Sequence, residues 1–421
     1  MKSTLIQQVR KMQTLNRAWI AVRRSGRSSK SEQTREEIDA FDTDSAAKLN
    51  TIQRKLQART FTFLPAHGKK IPKKKKGAFR PLVVAPVESR IVQRAVHDVL
   101  TKLPQIVTYT NTPYSFGGMK KGEGESLASV PAAIQCVLYA IENGAKYIVR
   151  SDIADFFTRI PKPELTAFVG NIANDADFLD LFSRAIKVEL ANLAQLRGDA
   201  KRFPIEDIGV AQGNSLSPLL GNLFLYDFDQ AMNASADVRC VRFIDDFIVL
   251  APSKSIANNY FEKARHLLEA KGLSLAIEKT DRKSVIEGFA FLGIEMCNGL
   301  IRPSKEARNH IIDLIAEILN ESREAFEAYT GKGIFDDRLG LVNTLRRVRS
   351  TAHGWRKHYW FCNDLNSFKA LDGNIAKLVR SYLASYARIR ARAGESVAWD
   401  LVGIGSLRDS SGKAAFVWPA S

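Results

Sequence analysis

Residues 241–250 read Val-Arg-Phe-Ile-Asp245-Asp246-Phe-Ile-Val-Leu, and most of the fold assignment starts from them. Val, Ile and Phe favour covered strands, so the flanks predict two buried strands joined by a tight turn. Burying adjacent ionised carboxylates is costly unless a cation compensates them. We therefore expect a Mg²⁺ site at this turn. An Asp-Asp pair between apolar runs is also compatible with an ordinary turn, because Asp tolerates turn geometry.

A second apolar segment also ends in a carboxylate. Residues 147–152 read Tyr-Ile-Val-Arg-Ser-Asp152 and predict a strand. Two such strands in one sheet would bring Asp152 to Asp245 and Asp246, and such oxygen ligands suit Mg²⁺. Two ions held there would activate an attacking hydroxyl and stabilise a leaving pyrophosphate. Taken alone, Asp152 is equally compatible with a helix N-cap.

Composition indicates a globular protein with a polyanionic partner. The 421 residues are 45% hydrophobic and 25% charged, enough for two or three domains. The formal net charge is +17 and the isoelectric point about 9.7. Such a charge favours nucleic acid as partner, with a membrane surface as the weaker alternative. The sequence lacks an apolar run of the roughly 20 residues that a membrane helix needs, and a signal-peptide core, so we expect a cytoplasmic protein.

The basic residues are clustered. Residues 1–31 carry eight Lys or Arg and no acid, and six lysines fall within 69–76. A third group lies on a predicted helix and comprises Arg380, Arg388, Arg390 and Arg392. Each run alone would suit a solvated face, but together they predict contacts with a phosphate backbone. The four cysteines show neither zinc-site nor disulfide spacing.

Several short segments follow one another in the order found in one polymerase family. In chain order they are Ile71-Pro-Lys73, Arg80-Pro-Leu-Val-Val-Ala-Pro86, Glu88-Ser-Arg90, Asp152-x-x-x-Phe156-Phe157, Gly209-Val-Ala-Gln212-Gly213, Phe243-Ile-Asp245-Asp246, Glu278-Lys279-Thr280 and Phe289-Ala-Phe291-Leu292-Gly293. Over about residues 60–300 the chain thus resembles a bacterial reverse transcriptase of the group II intron and retron-like lineage. The series makes the ordinary-turn interpretation of the Asp pair untenable.

The resemblance implies an α+β fold, a right-hand polymerase whose fingers and antiparallel palm sheet precede an all-helical thumb. We expect a basic helical extension at 1–60, fingers at 61–145 with part of 161–205, a palm at 146–303, and a helical thumb and tail at 304–421. The implied activity is RNA-directed DNA polymerisation with two Mg²⁺ ions, for which Mn²⁺ can substitute. RNA template, DNA product or primer, and dNTPs are the implied partners.

The resemblance also implies roles for individual residues. Asp152 and Asp245 would bind metal directly, with Asp246 supporting them. Lys279 would protonate the leaving pyrophosphate, although an ordinary surface lysine is the alternative. Phe157 would exclude a ribose 2′-OH, with a core phenylalanine as the alternative. The remaining implied contacts are Lys73, Arg80, Gln212 and Gly213 for the dNTP, and Phe291, Leu292 and Gly293 for the primer grip.

The compact architecture favours a stand-alone, defence-associated reverse transcriptase that copies a partner non-coding RNA. We find neither an endonuclease signature nor the retron hallmarks Asn-Ala-x-x-His and Val-Thr-Gly. Two alternatives stay open: an RNA-dependent RNA polymerase, which Phe157 disfavours, and a group II intron-type maturase that binds RNA without catalysis. Phe243 replaces the more usual tyrosine before the Asp pair, and Ile244 replaces a smaller residue.

Overall fold

The computed structural model describes residues 3–73, 77–118, 129–329 and 335–404. The backbone divides into two compact units, Met1–Val285 and Ile286–Ser421. Lys74 to Lys76, part of the predicted basic run, lie outside the described residues. Within the described ranges, every helix is too short or too polar to cross a lipid bilayer.

The first unit is mostly helical, and its helices surround the strands that carry the carboxylates. Its helices are α1 (Leu5–Val9), α2 (Met12–Arg27), α3 (Glu32–Asp42), α4 (Ser45–Gln57), α5 (Val87–Leu100), α6 (Pro104–Thr110), α7 (Ser129–Glu142), α8 (Lys162–Ala173), α9 (Ala176–Ile186), α10 (Leu193–Leu196), α11 (Ser217–Phe224), α12 (Tyr226–Met232) and α13 (Lys254–Glu269). Its strands are β1 (His67–Pro72), β2 (Phe79–Val84), β3 (Tyr147–Asp152), β4 (Arg239–Phe243), β5 (Asp246–Ala251) and β6 (Asp281–Ser284).

The helical N-terminal region packs on the body of the unit through one apolar stripe. On α2 the buried residues Leu15, Ala18, Trp19 and Val22 follow the i, i+3, i+4, i+7 spacing of a helix face. This stripe packs against α5, which contributes Ile91 and other buried aliphatic residues to the same core. The helical character predicted for residues 1–60 is observed in α1 to α4.

Four antiparallel strands form the central sheet, in the order β4-β5-β3-β6. The predicted strand pair around the Asp-Asp segment is confirmed as the hairpin β4–β5. The middle strands β3 and β5 are buried, and Ile148, Val149 and Ile248 are essentially inaccessible to solvent. Burial on both faces explains their near-continuous apolar sequence, which is what made them recognisable. A separate hairpin, β1–β2, carries Lys73 at its turn and Arg80 on its second strand.

The second unit begins with a small antiparallel sheet of β7 (Phe289–Phe291), β8 (Ile294–Cys297) and β9 (Leu300–Pro303). It continues with α14 (Lys305–Ala328), α15 (Leu341–His358), α16 (Leu365–Arg392) and α17 (Glu395–Asp400). Side chains cap two of the long helices: Ser304 accepts from the amide of Ala307, and Asp364 accepts from the amides that open α16. Within the described ranges 305–329 and 335–404, the predicted succession of helices is observed.

Candidate active site

The register of β3 and β5 brings the three predicted carboxylates to one end of the sheet. Asp152 lies directly opposite Asp246 in the antiparallel ladder, and Asp245 lies in the turn that precedes Asp246. The amide of Ile153 donates to the carbonyl of Asp245 at 2.9 Å, which ties this turn to the end of β3. Asp152 at the end of β3, Asp246 at the start of β5 and Asp245 in the adjoining turn therefore lie at the same end of the sheet.

The environment of the cluster raises the pKa of Asp245. Burial, with a further contribution from the charge of Asp152, raises the pKa of Asp245 to about 6. Burial also raises the pKa of Asp246, although hydrogen bonding to Arg150 opposes that rise. The repulsion indicates that negative charge is concentrated here and that a bound cation would be stabilised.

Two basic side chains contact the carboxylates. Lys279, in the short 3₁₀ helix Ile277–Lys279, places Nζ 2.9 Å from Oδ2 of Asp152. Arg150, on β3, donates from Nε and Nη2 to the two oxygens of Asp246 at 3.2 and 3.0 Å. Lys279 was predicted at this site, whereas Arg150 was not. The alternation of side chains along a strand would have indicated it, because residues 150 and 152 share a face.

The donor set fits a divalent metal in its chemistry. Three carboxylates are the oxygen ligands that Mg²⁺ prefers, and a cation would offset the cost of burying charge beside Asp152, the two effects that raise the pKa of Asp245. Among the described residues, no three His, Cys, Asp or Glu side chains already converge as a metal-binding group.

The turn between β4 and β5 is a strained two-residue loop. Ile244 has φ = 63°, a left-handed conformation that β-branched residues rarely adopt. Such a residue costs of order 1–3 kcal/mol unless its surroundings impose the conformation. The segment 114–117 supplies those surroundings, because its backbone bonds to Arg242 through the carbonyl of Tyr114 and the amide of Phe116. A Cβ atom at Gly117 would lie 2.7 Å from the Ile244 nitrogen, so only glycine permits this close approach.

A buried polar network supports the same turn from behind. The Arg242 side chain is fully buried and donates to both oxygens of Asp229, at 2.7 Å from Nε and 2.5 Å from Nη2. Its Nη1 donates to Asn222 and to the carbonyl of Ile244, each at 2.9 Å. Helices α11 and α12 thereby hold the backbone of the turn. The sequence interpretation missed this network, whose only local signal was a charged residue within an apolar strand.

Phe157 lies close to the carboxylates along the chain, in the 3₁₀ helix Phe156–Thr158. Asp155, immediately before this helix, has φ = 46°, and this left-handed conformation turns the chain away from the line of β3. Phe157 is partly exposed, with its ring centroid 5.3 Å from that of the buried Phe156. Its carbonyl accepts from the amide of Val210 at 2.7 Å, which joins this segment to the loop that carries Gln212. Phe156 is buried in the main core, and Phe157 packs against that core while remaining partly exposed.

The loop at 209–213 runs beside β2. The amide of Val83 donates to the carbonyl of Gln212 at 2.8 Å. Gly213 has φ = 112°, and a Cβ atom there would lie 2.5 Å from the carbonyl oxygen of Val83, so glycine is required. The structure therefore brings Gln212 and Gly213 to the strand that carries the exposed Arg80.

The other predicted residues fall in two places. Lys73 places Nζ 3.4 Å from Oδ1 of Asp155, so the residue that follows β1 contacts the segment after Asp152. Phe291, Leu292 and Gly293 belong to the second unit, where Leu292 and Gly293 form the tight β7–β8 turn with φ of 52° and 75°. Phe291 is fully buried beneath that turn. The roles of all these residues stay predictions.

Comparison with known proteins identifies the family. Residues 71–296, more than half of the chain, match the sequence model of the family described as "Reverse transcriptase (RNA-dependent DNA polymerase)". The chain therefore belongs to the reverse transcriptase family. The predicted α+β polymerase fold and the predicted enzyme class, an RNA-directed DNA polymerase, are confirmed at this level. Members of this family generally use divalent metals such as Mg²⁺.

Similar curated proteins include Protein YkfC of Escherichia coli, 25% identical over 64% of this chain and 79% of that protein. A putative COX1/OXI3 intron 2 protein of Saccharomyces cerevisiae is 26% identical over 43% of this chain, and an uncharacterized 91 kDa protein in the cob intron of Schizosaccharomyces pombe is 26% identical over 59%. The chain spans only 19% and 28% of the length of these two proteins.

Solved structures show weaker similarity. A chain of a partial Cas6-RT-Cas1–Cas2 complex is 21% identical, with a TM-score of 0.35 over 64% of this chain and 41% of that chain. Apo telomerase from Candida tropicalis, truncated from its C-terminal domain, is 15% identical, with a TM-score of 0.41 over 57% of this chain and 55% of that one.

Proposed function

We propose that this protein copies an RNA template into DNA from dNTPs, with two Mg²⁺ ions bound directly by Asp152 and Asp245 and supported by Asp246. The observation that carries the proposal is the β3–β5 register, which pairs Asp152 with Asp246 and places Asp245 in the adjoining turn. When bound, the metal would lower the pKa of the attacking hydroxyl and neutralise the leaving pyrophosphate.

The remaining roles follow from the contacts of each side chain. The Lys279 side chain lies beside Asp152 and is about half-exposed, so it is available to donate a proton to pyrophosphate. Lys73 and Arg80 carry the charges for triphosphate oxygens, as a point charge and a bidentate fork respectively. The Gln212–Gly213 segment would pack beside the nucleotide base. Phe291, Leu292 and Gly293 would hold the primer terminus.

Primer extension on a defined RNA template tests the proposal. We expect incorporation of dNTPs in preference to NTPs, and incorporation should stop on chelation of divalent metal. A preference for NTPs would instead identify an RNA-dependent RNA polymerase. If the purified protein incorporated neither, and a variant with Asp245→Ala and Asp246→Ala kept cellular function, an RNA-binding maturase would replace the proposal.

Sugar selection should depend on Phe157. The Phe157→Ala variant removes the aromatic ring that we place against C2′ of the nucleotide, so NTPs should gain access to the site. We expect the ratio of dNTP to NTP kcat/KM to fall by at least about tenfold, since a lost steric contact of this kind is worth roughly 1–3 kcal/mol. Single-nucleotide incorporation kinetics measure this ratio. A large fall in dNTP incorporation with an unchanged ratio would show that Phe157 acts only in packing.

Metal binding should be measurable without catalysis. At a Mg²⁺ concentration about 100 times its Kd, binding to the folded state adds about 2.7 kcal/mol of stability. We therefore expect Mg²⁺ or Mn²⁺ to raise the melting temperature of the wild-type protein by several degrees, and EDTA to reverse the shift. A variant with Asp152→Asn and Asp245→Asn should show no such shift. An equal shift in both proteins would place the metal elsewhere.

We further propose that the RNA template is a structured non-coding RNA, in an anti-phage defence system in the cytoplasm. The support is charge on exposed surfaces of the helical extension at 1–60, where Lys11, Arg17 and Arg24 are exposed. Arg23 and Arg27 contribute less, because they pair with Asp39 and Asp42. Sequencing of nucleic acid that co-purifies from the host tests this context, and recovery of no discrete RNA would contradict it.

The domain assignment is also a proposal. We assign residues 1–60 to the extension, 61–145 with part of 161–205 to the fingers, 146–303 to the palm and 304–421 to the thumb and tail. The compact division at residues 285 and 286 groups β7–β9 with the helices of the second unit. The exposed positions of Arg380, Arg388, Arg390 and Arg392 along α16 support a nucleic-acid-binding role for these helices.

A further inference from the structure

Arg150 is a basic residue on the same strand as Asp152, and it contacts Asp246. It lies two positions before Asp152 on β3, so the two side chains share one face of the sheet. Its guanidinium binds Asp246 through both carboxylate oxygens, at 3.2 Å from Nε and 3.0 Å from Nη2. Only 34% of the arginine side chain and 18% of the aspartate side chain are exposed. This partly covered, two-bond contact fixes the orientation of Asp246.

The contact of Asp152 with Lys279 is of a different kind. Lys279 makes a single ion pair, and 57% of its side chain is exposed, so it can leave Asp152 at small cost. An arginine fork is planar and always charged, and it loses little conformational freedom for each hydrogen bond it makes. A metal ion would therefore displace Lys279 from Asp152 more readily than it would displace Arg150 from Asp246.

We propose that Arg150 is a positioning residue that holds Asp246 back from direct metal ligation and leaves Asp152 and Asp245 as the direct ligands. This inference rests on the proposed function of the carboxylate cluster. It explains how two adjacent, chemically identical side chains acquire different roles. The bidentate contact keeps Asp246 as a fixed negative charge behind the metal, while Asp245 in the turn stays available for ligation.

The proposal predicts opposite changes in metal affinity and in turnover. In Arg150→Met, Asp246 is released and a positive charge is lost, so Mn²⁺ should bind roughly three- to tenfold tighter. The geometry of the direct ligands is disturbed at the same time, so kcat should fall by about tenfold, the usual scale for residues that orient metal ligands. Loss of a merely structural contact would weaken metal binding and turnover together.

Further variants separate the contributions. Arg150→Lys keeps the charge but loses the fork, so kcat should fall while Mn²⁺ binding tightens less than in Arg150→Met. In an Asp246→Asn background, Arg150→Met still removes a positive charge but releases no carboxylate, so the gain in Mn²⁺ affinity should be clearly smaller than in the wild-type background. Arg282→Met is the matched control for charge. Arg282 pairs with Val149 in the ladder, so it lies on the opposite face of the same sheet, near the ring of Phe261.

Mn²⁺ affinity is measured by electron paramagnetic resonance on the full-length protein, and kcat by primer extension. Tighter Mn²⁺ binding with slower turnover in Arg150→Met, and a clearly smaller gain in affinity in the Asp246→Asn background, would support the proposal. Weaker Mn²⁺ binding, or an equal effect in both backgrounds, would overturn it. If the wild-type protein incorporated no nucleotide, the proposed function would fail, but the Mn²⁺ affinities would still decide whether Arg150 acts through Asp246.

Discussion

The Asp245→Asn variant should lose polymerase activity by roughly 10³-fold or more, because a catalytic metal supplies several kcal/mol of transition-state stabilisation. The substitution preserves size and removes the charge of the residue that we assign as a direct metal ligand. Single-turnover incorporation of one dNTP on a preformed RNA–DNA duplex measures the loss. We expect the variant to be at least as stable as the wild-type protein at pH 7 without metal. Burial and the neighbouring Asp152 already disfavour a charge at this position, as the raised pKa shows.

Asp237→Asn is the matched control for this experiment. Asp237 is exposed in the connection that leads into β4, so the change removes the same charge from the same region of the chain. Its activity should equal that of the wild-type protein. If the folded Asp245→Asn variant retained a tenth or more of the activity, the assignment of the carboxylate cluster would be wrong.

Arg242→Met should produce the largest loss of stability. Removal of the fully buried guanidinium leaves Asp229 as an uncompensated buried charge, and breaking such a pair costs about 3–5 kcal/mol. It also releases the carbonyl of Ile244, so the strained turn that carries Asp245 loses a support. We therefore expect a lower melting temperature, faster hydrogen exchange in peptides that span β4 and β5, and reduced kcat in the folded fraction.

Two controls distinguish the network from a general effect of charge. Arg265→Met removes an arginine that pairs with Glu262 and Glu269 on the surface of α13, and it should leave the melting temperature unchanged. Combining Arg242→Met with Asp229→Leu should cost less than the sum of the two single changes, since neither variant then buries an unpaired charge. Additive losses would show that the two residues do not act as a pair.

Local patterns predicted the elements that carry the site. The apolar runs around residues 148 and 248 indicated buried strands because such runs suit a sheet covered on both faces. The positions of Asp152, Asp245 and Asp246 at strand ends then followed from the strand boundaries alone. The helices of the second unit were predictable for a similar reason, since α14 places Ile311, Ile315, Ile318 and Leu319 at helical spacing on its buried face.

Contacts between segments distant in sequence were not predictable in this way. The Arg242 network joins β4 to Asn222 on α11 and Asp229 on α12, and nothing in the local period of any of these segments specifies their partners. The packing partners of α3 were not predictable either, and its buried residues Ile38 and Phe41 pack in the main core. Its eleven residues are mostly polar and show no clear apolar stripe, so its stability depends on the packing of a few buried residues against neighbouring elements.

The amino-acid sequence alone determined that this chain is a polymerase of the reverse transcriptase family with three acidic residues at two strand ends. Apolar runs, strand periodicity and the order of motifs can be read directly along the chain, so one sequence suffices to detect them. Only the tertiary structure decided that Asp152 lies opposite Asp246, that Arg150 binds Asp246 through a bidentate fork, and that Arg242 holds the turn at Ile244. These contacts depend on register and on the packing of distant helices, which emerge only when the whole unit folds around its common core.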